Sequence, residues 1–372
     1  MDYYLKKKRN ELIDVCKEKK IKGYSGKKKE EIIELLLAST DTHNSVEDIT
    51  AVFQEVNLST TTKPTTVKRV ASLFAGCGGL DFGFHKNASY QHVFINDFDS
   101  DACDTYEKFF HIKPTCCDVK KIETIPDCDL LIGGFPCQGF SMANPYRNEK
   151  DERNDLYLEI LRLLRLKQPS YFLLENVKGL LNMGGYETKE DKTNHEGKIM
   201  KIIMEELKNC GYKVMFKLFD IKQYNVPQKR QRVIIIGVKN SISFEPVWPE
   251  SSEKELTLKN AIGDLPLEYN SDIQHVGTKH KCNVSGYVGN RELKWEEPSP
   301  TITGRGGGSG GPVIHNHPSL KRRLTVRECA RIQTFPDDFM FVGSISSMYK
   351  QIGNAVPCKF SEYLCKIFEH AP

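Results

Sequence analysis

A thiol at position 137, a carboxylate at 175 and guanidinium groups at 230 and 232 are the side chains here best suited to covalent chemistry on a substrate. Cys137 lies in Gly133-Gly134-Phe135-Pro136-Cys137-Gln138-Gly139-Phe140-Ser141. The run Cys128-Asp129-Leu130-Leu131-Ile132 before it reads as a short buried strand. Two glycines end that strand with backbone angles other residues resist, and Pro136 fixes φ one residue before the thiol. A nucleophile at the tip of a rigid strand-to-loop junction is one reading, and a buried turn cysteine is the other. Tyr171-Phe172-Leu173-Leu174-Glu175-Asn176-Val177 is nearly all apolar until it delivers a carboxylate. Such a partly desolvated group suits proton exchange with a substrate, while a plain strand-end ion pair is the alternative. Arg230 and Arg232 precede the strand Val233–Gly237 with period 2, which predicts a shared face. Surface charge at a strand edge remains open for them.

The elements that must carry these groups alternate between strand and helix from Val67 onward, which predicts an α/β, doubly wound sheet. Val70–Phe74 is a strand, and Ala75-Gly76-Cys77-Gly78-Gly79-Leu80 a glycine turn into a helix. Such a turn lets a nucleotide-like ligand approach backbone N–H groups. Its spacing is not the dinucleotide GxGxxG. Val93–Asn96 is a second strand that ends in Asp97-Phe98, and Cys116-Cys117-Asp118-Val119 marks a third unit. A carboxylate closing the second strand is placed for ribose hydroxyls, or is merely a strand-end cap. Residues 156–166, 199–207 and 324–333 have helical periodicity, and Gln351–Pro357 precedes a last helix. Between Met142 and Asn154 the chain is polar, and a lid and a plain surface loop are equally open.

Taken in order, six blocks resemble the cytosine-5 DNA methyltransferases. The Pro136-Cys137 loop resembles their catalytic loop, and the run LFAGCGGLDFGF at 73–84 their S-adenosylmethionine loop. Glu175-Asn176-Val177 matches their Glu-Asn-Val, and Gln228, Arg230 and Arg232 their Gln-x-Arg-x-Arg. Leu324–Gln333 and Gln351–Pro357 resemble their two final motifs. The resemblance covers roughly residues 68–370 and implies a Rossmann-like S-adenosylmethionine-dependent methyltransferase fold. It implies a catalytic domain at 67–240, a smaller target-recognition domain at 241–322 and a return to the catalytic domain at 323–372. It implies Cys137 as nucleophile, with Glu175, Arg230 and Arg232 around the cytosine. The cofactor would be held by Phe74, Ala75, Gly76, Gly78, Gly79, Leu80, Asp97, Phe98, Asp118, Val119, Pro136, Asn354, Ala355 and Val356. Asp97 would take the ribose, Phe98 would lie on the adenine and Asp118 would hold its amino group. Gln138, Ser141, Gln228, Thr303 and Arg305 are the expected contacts to double-stranded DNA. A tRNA substrate on the same fold stays open, although that branch's Cys-Phe-Thr signature is absent. A non-catalytic DNA-binding relative is the other alternative.

The 372 residues carry a net charge of +4. Residues 1–37 hold 11 Lys/Arg and 7 Asp/Glu, so that stretch alone is +4 and the other 335 residues sum to zero. Two helices with a Gly23-Tyr24-Ser25-Gly26 turn between them are expected at 1–38. This stretch resembles the SAP motif, whose Lys27, Lys28 and Lys29 would meet DNA phosphates. A solvated helical spacer is the alternative. Residues 39–66, rich in Ser, Thr, Asp and Asn, read as a linker. Twelve cysteines show neither regular spacing nor a zinc-like CxxC pair, so a reduced intracellular setting and no metal are expected. No apolar run is long enough for a bilayer and no signal peptide is visible. The expectation is a monomer with no membrane partner, in the cytoplasm of a prokaryote or a virus-infected cell, the nucleus remaining open.

Overall fold

The computed structural model describes residues 28–29, 67–136, 155–252, 254–278, 291–304, 315–319 and 322–372. The chain divides into two units, Met1–Pro64 and Thr65–Pro372. The second unit runs β1 (Lys68–Leu73), α1 (Asp81–Lys86), β2 (Tyr90–Asp97), α2 (Ser100–Phe110), β3 (Thr115–Cys116), β4 (Leu130–Gly133), α3 (Asp155–Lys167) and β5 (Tyr171–Val177). It continues with α4 (Lys189–Asn194), α5 (Lys198–Asn209), β6 (Tyr212–Asp220), β7 (Gln228–Lys229), β8 (Gln231–Lys239) and α6 (Leu258–Ile262). Last come β9 (Arg291–Glu292), β10 (Ser299–Pro300), β11 (His315–Asn316), α7 (Val326–Ile332), α8 (Ile345–Asn354) and α9 (Cys358–Leu364).

Seven strands form one sheet in the order β3-β2-β1-β4-β5-β8-β6. The first five run parallel, whereas β8 is antiparallel to both β5 and β6. The sheet is therefore mixed at one end, as doubly wound sheets often are. β6 is also an addition, an edge strand whose Tyr212, Val214, Phe216 and Leu218 pack on the core while Lys213 and Lys217 lie on its other face. Gln351–Asn354 belong to α8 rather than to a loop before α9.

Alternation along the central strands divides the core between the two faces of the sheet. Leu73, Leu131, Phe172, Leu174 and Ile235 meet Ile160, Leu164, Met200 and Ile203 on one face. Val70, Leu130, Leu173, Ile234 and Ile236 meet Phe84, Phe360 and Leu364 on the other. The end of the chain thus completes the layer opened by α1. The Gly83 amide donates to Ser361 Oγ at 2.9 Å, and the Lys68 ammonium to the Ala371 carbonyl at 2.6 Å. A third cluster joins Ala75, Cys77 and Phe82 to Ile262, Ile302, Leu324 and Ile352. The segment around residue 302 therefore shares its core with the glycine turn.

One contact in that cluster leaves no room. A Cβ on Gly353 would lie 2.0 Å from the Thr303 carbonyl carbon and 2.2 Å from the Gly304 nitrogen. Both atoms are backbone, so a side chain cannot push them aside cheaply. Gly353→Ala is expected to cost about 1–3 kcal/mol, as overpacking does. Thermal unfolding should show a Tm lower by roughly 2–5 °C, and an unchanged Tm would refute the close approach.

Candidate active site

β1 and β4 are neighbours at the point where the strand order reverses, with Leu73 beside Gly133. In open α/β sheets a crevice forms at the C-terminal ends of such strands. The glycine turn leaves β1 there and the loop leading to Cys137 leaves β4.

The turn is built by left-handed backbone at Phe74, Gly76 and Gly78, with φ of +55°, +55° and +93°. A Cβ on Gly78 would fall 2.3 Å from the Phe110 ring, so the turn lies flat on α2. A Cβ on Gly79 would fall 2.4 Å from the Val356 carbonyl and 2.9 Å from the Ala355 methyl. The stretch from Asn354 to Val356 therefore backs the turn directly. Ala75 and Leu80 are buried within it.

Asp97 ends β2 and accepts from the Gly76 amide at 2.7 Å and the Asp99 amide at 2.9 Å. Burial pushes its carboxyl above the ordinary range, against the pull of those amides. Its first structural task is thus to hold the turn. Phe98 next to it is 68% exposed, an unusual state for a phenyl ring on a rigid strand end. Asp118 is exposed and accepts from the Lys120 amide at 3.0 Å, while Val119 is buried.

On the other side of the crevice, Arg232 Nε lies 2.6 Å from Glu175 Oε1. Both side chains are about one-eighth exposed, so a substrate can reach them. The contact is an ion pair that lacks the alignment of a hydrogen bond at Nε, while an Nη1 proton goes to the Gln231 carbonyl at 2.8 Å. A Cβ at Gly134 would fall 3.0 Å from Glu175 Oε2, so the loop after β4 passes against this carboxylate. Asn176 fixes that loop, donating from Nδ2 to the Phe135 carbonyl at 3.0 Å. Pro136, half-buried, is the last described residue before the thiol.

Two expected site residues face elsewhere. Arg230 gives Nη1 to the Ile302 carbonyl at 2.8 Å and Nη2 to the Gly353 and Ala355 carbonyls at 3.2 and 3.1 Å. It is wholly buried, and that burial, followed by the nearby Arg232 charge, pushes its pKa well down. Gln228 is equally buried: its amide donates to Gln333 Oε1 at 2.8 Å and its carbonyl accepts from the Ile302 amide at 3.0 Å. Neither side chain is presented to a ligand, because the segment at 299–303 folds over both. Gln333, which the sequence did not single out, completes this junction by donating to the Ile352 carbonyl at 2.7 Å. Thr303 is half-buried, and its hydroxyl has no hydrogen-bond partner among the described residues. Lys28 and Lys29 belong to the separate first unit. Cys137, Gln138, Ser141, Arg305 and Lys27 lie outside the described residues, as does the expected SAP-like module apart from residues 28–29. Among the described residues no cluster of metal-ligating side chains occurs, and no helix is long and apolar enough to cross a membrane.

A thiol-bearing loop, a carboxylate–guanidinium pair and a glycine turn on adjacent strand ends describe a group-transfer enzyme. The model of the C-5 cytosine-specific DNA methylases matches residues 68–369. The chain is 36% identical to the type II methyltransferase M.NgoFVII of Neisseria gonorrhoeae, over 78% of this chain and 83% of that protein. It is 34% identical to M.BspRI of Lysinibacillus sphaericus, over 91% of this chain and 89% of that one. Among solved structures, a prophage-encoded Escherichia coli chain described as a DNA modification methyltransferase superposes with a TM-score of 0.63 and 23% identity, covering 81% of this chain and 99% of that one. Schizosaccharomyces pombe Dnmt2 superposes at 0.61 and 21% identity, over 81% and 98%. The chain belongs to the C-5 cytosine-specific DNA methylase family. It is a DNA cytosine-5 methyltransferase.

Proposed function

We propose that the chain methylates carbon 5 of a flipped-out cytosine in a short duplex site, through an adduct on Cys137. The observation that carries this reading is the Glu175–Arg232 pair, 2.6 Å apart and pressed against the loop that leads into Cys137. Carbon 5 of cytosine is too weak a nucleophile to accept a methyl group unaided. The Cys137 thiolate adds to carbon 6, and the ring electrons move to carbon 5. Glu175 holds a proton at ring nitrogen 3, and Arg232 donates to the exocyclic oxygen. S-adenosylmethionine supplies the methyl group. The glycine turn, Asp97 and Phe98 fit it: a carboxylate at the strand end for ribose hydroxyls and an open ring for adenine. Loss of the carbon-5 proton and expulsion of the thiolate restore the ring. A stacked base cannot meet these groups, so the cytosine leaves the duplex. Arg230 and Gln228 serve as positioning residues that hold residues 299–303 beside the site, and Thr303 and Arg305 then meet the DNA backbone.

The relatives named type II methyltransferases favour a modification role, in which methylation shields a short site from a companion endonuclease. Tritium transfer from S-adenosylmethionine to duplex DNA and to tRNA, assayed side by side, tests the substrate. Bisulfite sequencing of a plasmid from expressing cells reads the site. Transfer to tRNA but not to duplex DNA would overturn the proposal.

The basic N-terminal stretch supplies affinity in this reading. Deleting residues 1–60 should weaken duplex binding and lower the slope of log affinity against log salt by roughly two to four units, at about 0.9 per lost phosphate contact. Single-turnover rate at saturating DNA should change little, since phosphate contacts position without reacting. An unaltered affinity and salt slope would assign that stretch to something other than DNA.

A further inference from the structure

The ring of Phe98 has a charged companion that the mechanism above does not use. Lys350, on α8, places its ammonium 5.9 Å from the centre of the Phe98 ring and over its face. The same ammonium is 2.7 Å from Asp99 Oδ2. Asp99 in turn caps α2, accepting from the Ala102 amide at 3.3 Å. Burial pushes the Asp99 carboxyl up, but the Lys350 hydrogen bond and the cap outweigh it and hold it below the ordinary carboxylate range. The half-exposed ammonium is thus drawn by Asp99 to a position beside a ring that is itself 68% exposed. A phenyl ring without neighbours turns freely about its side-chain bonds, and ordering it on binding costs affinity. A cation fixed over one face removes that freedom in advance. It also attracts the ring's negative face, which leaves the opposite face for a planar partner.

We propose that Lys350 is a cofactor-positioning residue, which orients the Phe98 ring for adenine and links α8 to the cofactor crevice. This rests on the reading of Phe98 as the adenine platform, and the test separates the two. Binding of S-adenosylhomocysteine by calorimetry is compared for the wild type, Phe98→Ala, Lys350→Met and the double variant. Phe98→Ala should weaken binding by tenfold or more, on the scale of a lost base–aromatic stack. Lys350→Met should weaken it by roughly three- to tenfold, the range of a partly exposed cation–π contact. In the Phe98→Ala background, Lys350→Met should add less than twofold, because no ring remains to orient. Lys350→Arg keeps the positive charge, with a guanidinium that can lie over the ring, and should restore binding to within twofold. In turnover, Lys350→Met should raise the cofactor KM by its binding factor, with kcat falling less than twofold.

Unchanged binding by Phe98→Ala would overturn the adenine platform itself. A weakened Phe98→Ala with Lys350→Met like wild type would leave the platform standing and overturn the role of Lys350. Equal losses from Lys350→Met with and without the ring would also overturn it, since they would mean only a general loss of structure.

Discussion

Cys137→Ser is expected to abolish methyl transfer, by at least about a thousandfold, with duplex affinity within a few-fold of the wild type. The reason is the nucleophile: a serine hydroxyl is scarcely ionised at neutral pH and adds poorly to carbon 6, whereas a thiol ionises readily. The loop itself should survive the exchange, because its shape depends on other atoms. Asn176 holds the Phe135 carbonyl, Phe135 is buried against Tyr157, and Gly134 passes Glu175 without a side chain. None of these involves the sulfur. A duplex with 5-fluorocytosine at the target provides a second readout. Fluorine cannot leave carbon 5 as a proton does, so the adduct cannot eliminate. The wild type should then give a denaturation-resistant complex with the mass of protein plus duplex, and Cys137→Ser should give none. Turnover of the serine variant within tenfold of the wild type, or an adduct on any other residue, would end the assignment.

Much of the arrangement could be read before any coordinates, because its signals are local. β1, β4 and β5 are short apolar runs stopped by glycine or a carboxylate, and each is found as a strand. The turn after β1 needs left-handed backbone at two glycines, and its sequence supplies them. What was not legible depends on partners far along the chain. Arg230 and Arg232 have period 2, yet they do not share a task. The regular strand is interrupted at Arg230, between β7 and β8, where its carbonyl accepts from the Ile221 amide. Its guanidinium then meets carbonyls contributed 72 to 125 residues later. Gln228 is buried for the same reason, since its side-chain amide bonds to Ile302 and Gln333. β6 is harder to read, because Met215 and Phe219 put apolar residues on the same face as Lys213 and Lys217 and blur the period-2 pattern. The direction of β8 is beyond reach too: an apolar strand reads alike in both directions, and its pairing with β5 and β6 sets it.

Glu175→Gln is expected to lower kcat/KM by roughly 10²–10⁴-fold, the range of a lost general acid. A glutamine fills the same volume, but it cannot deliver a proton to ring nitrogen 3. Cofactor affinity should stay near the wild type, because the glycine turn, Asp97 and Phe98 lie across the crevice and bond to one another rather than to Glu175. The exchange also leaves Arg232 without its counter-charge. That guanidinium is only 12% exposed, so an uncompensated charge should lower stability by about 1–3 kcal/mol, less than for a fully buried pair. Stability and catalysis can therefore be confused, and the double variant Glu175→Gln/Arg232→Met separates them. It removes the lone charge and should recover much of the lost Tm, since apolar side chains replace buried ion pairs at little cost. It should not recover activity, because neither the proton at nitrogen 3 nor the donor to the exocyclic oxygen returns. Recovery of turnover along with Tm would mean that Glu175 serves the fold alone, and the proton would have to come from another group.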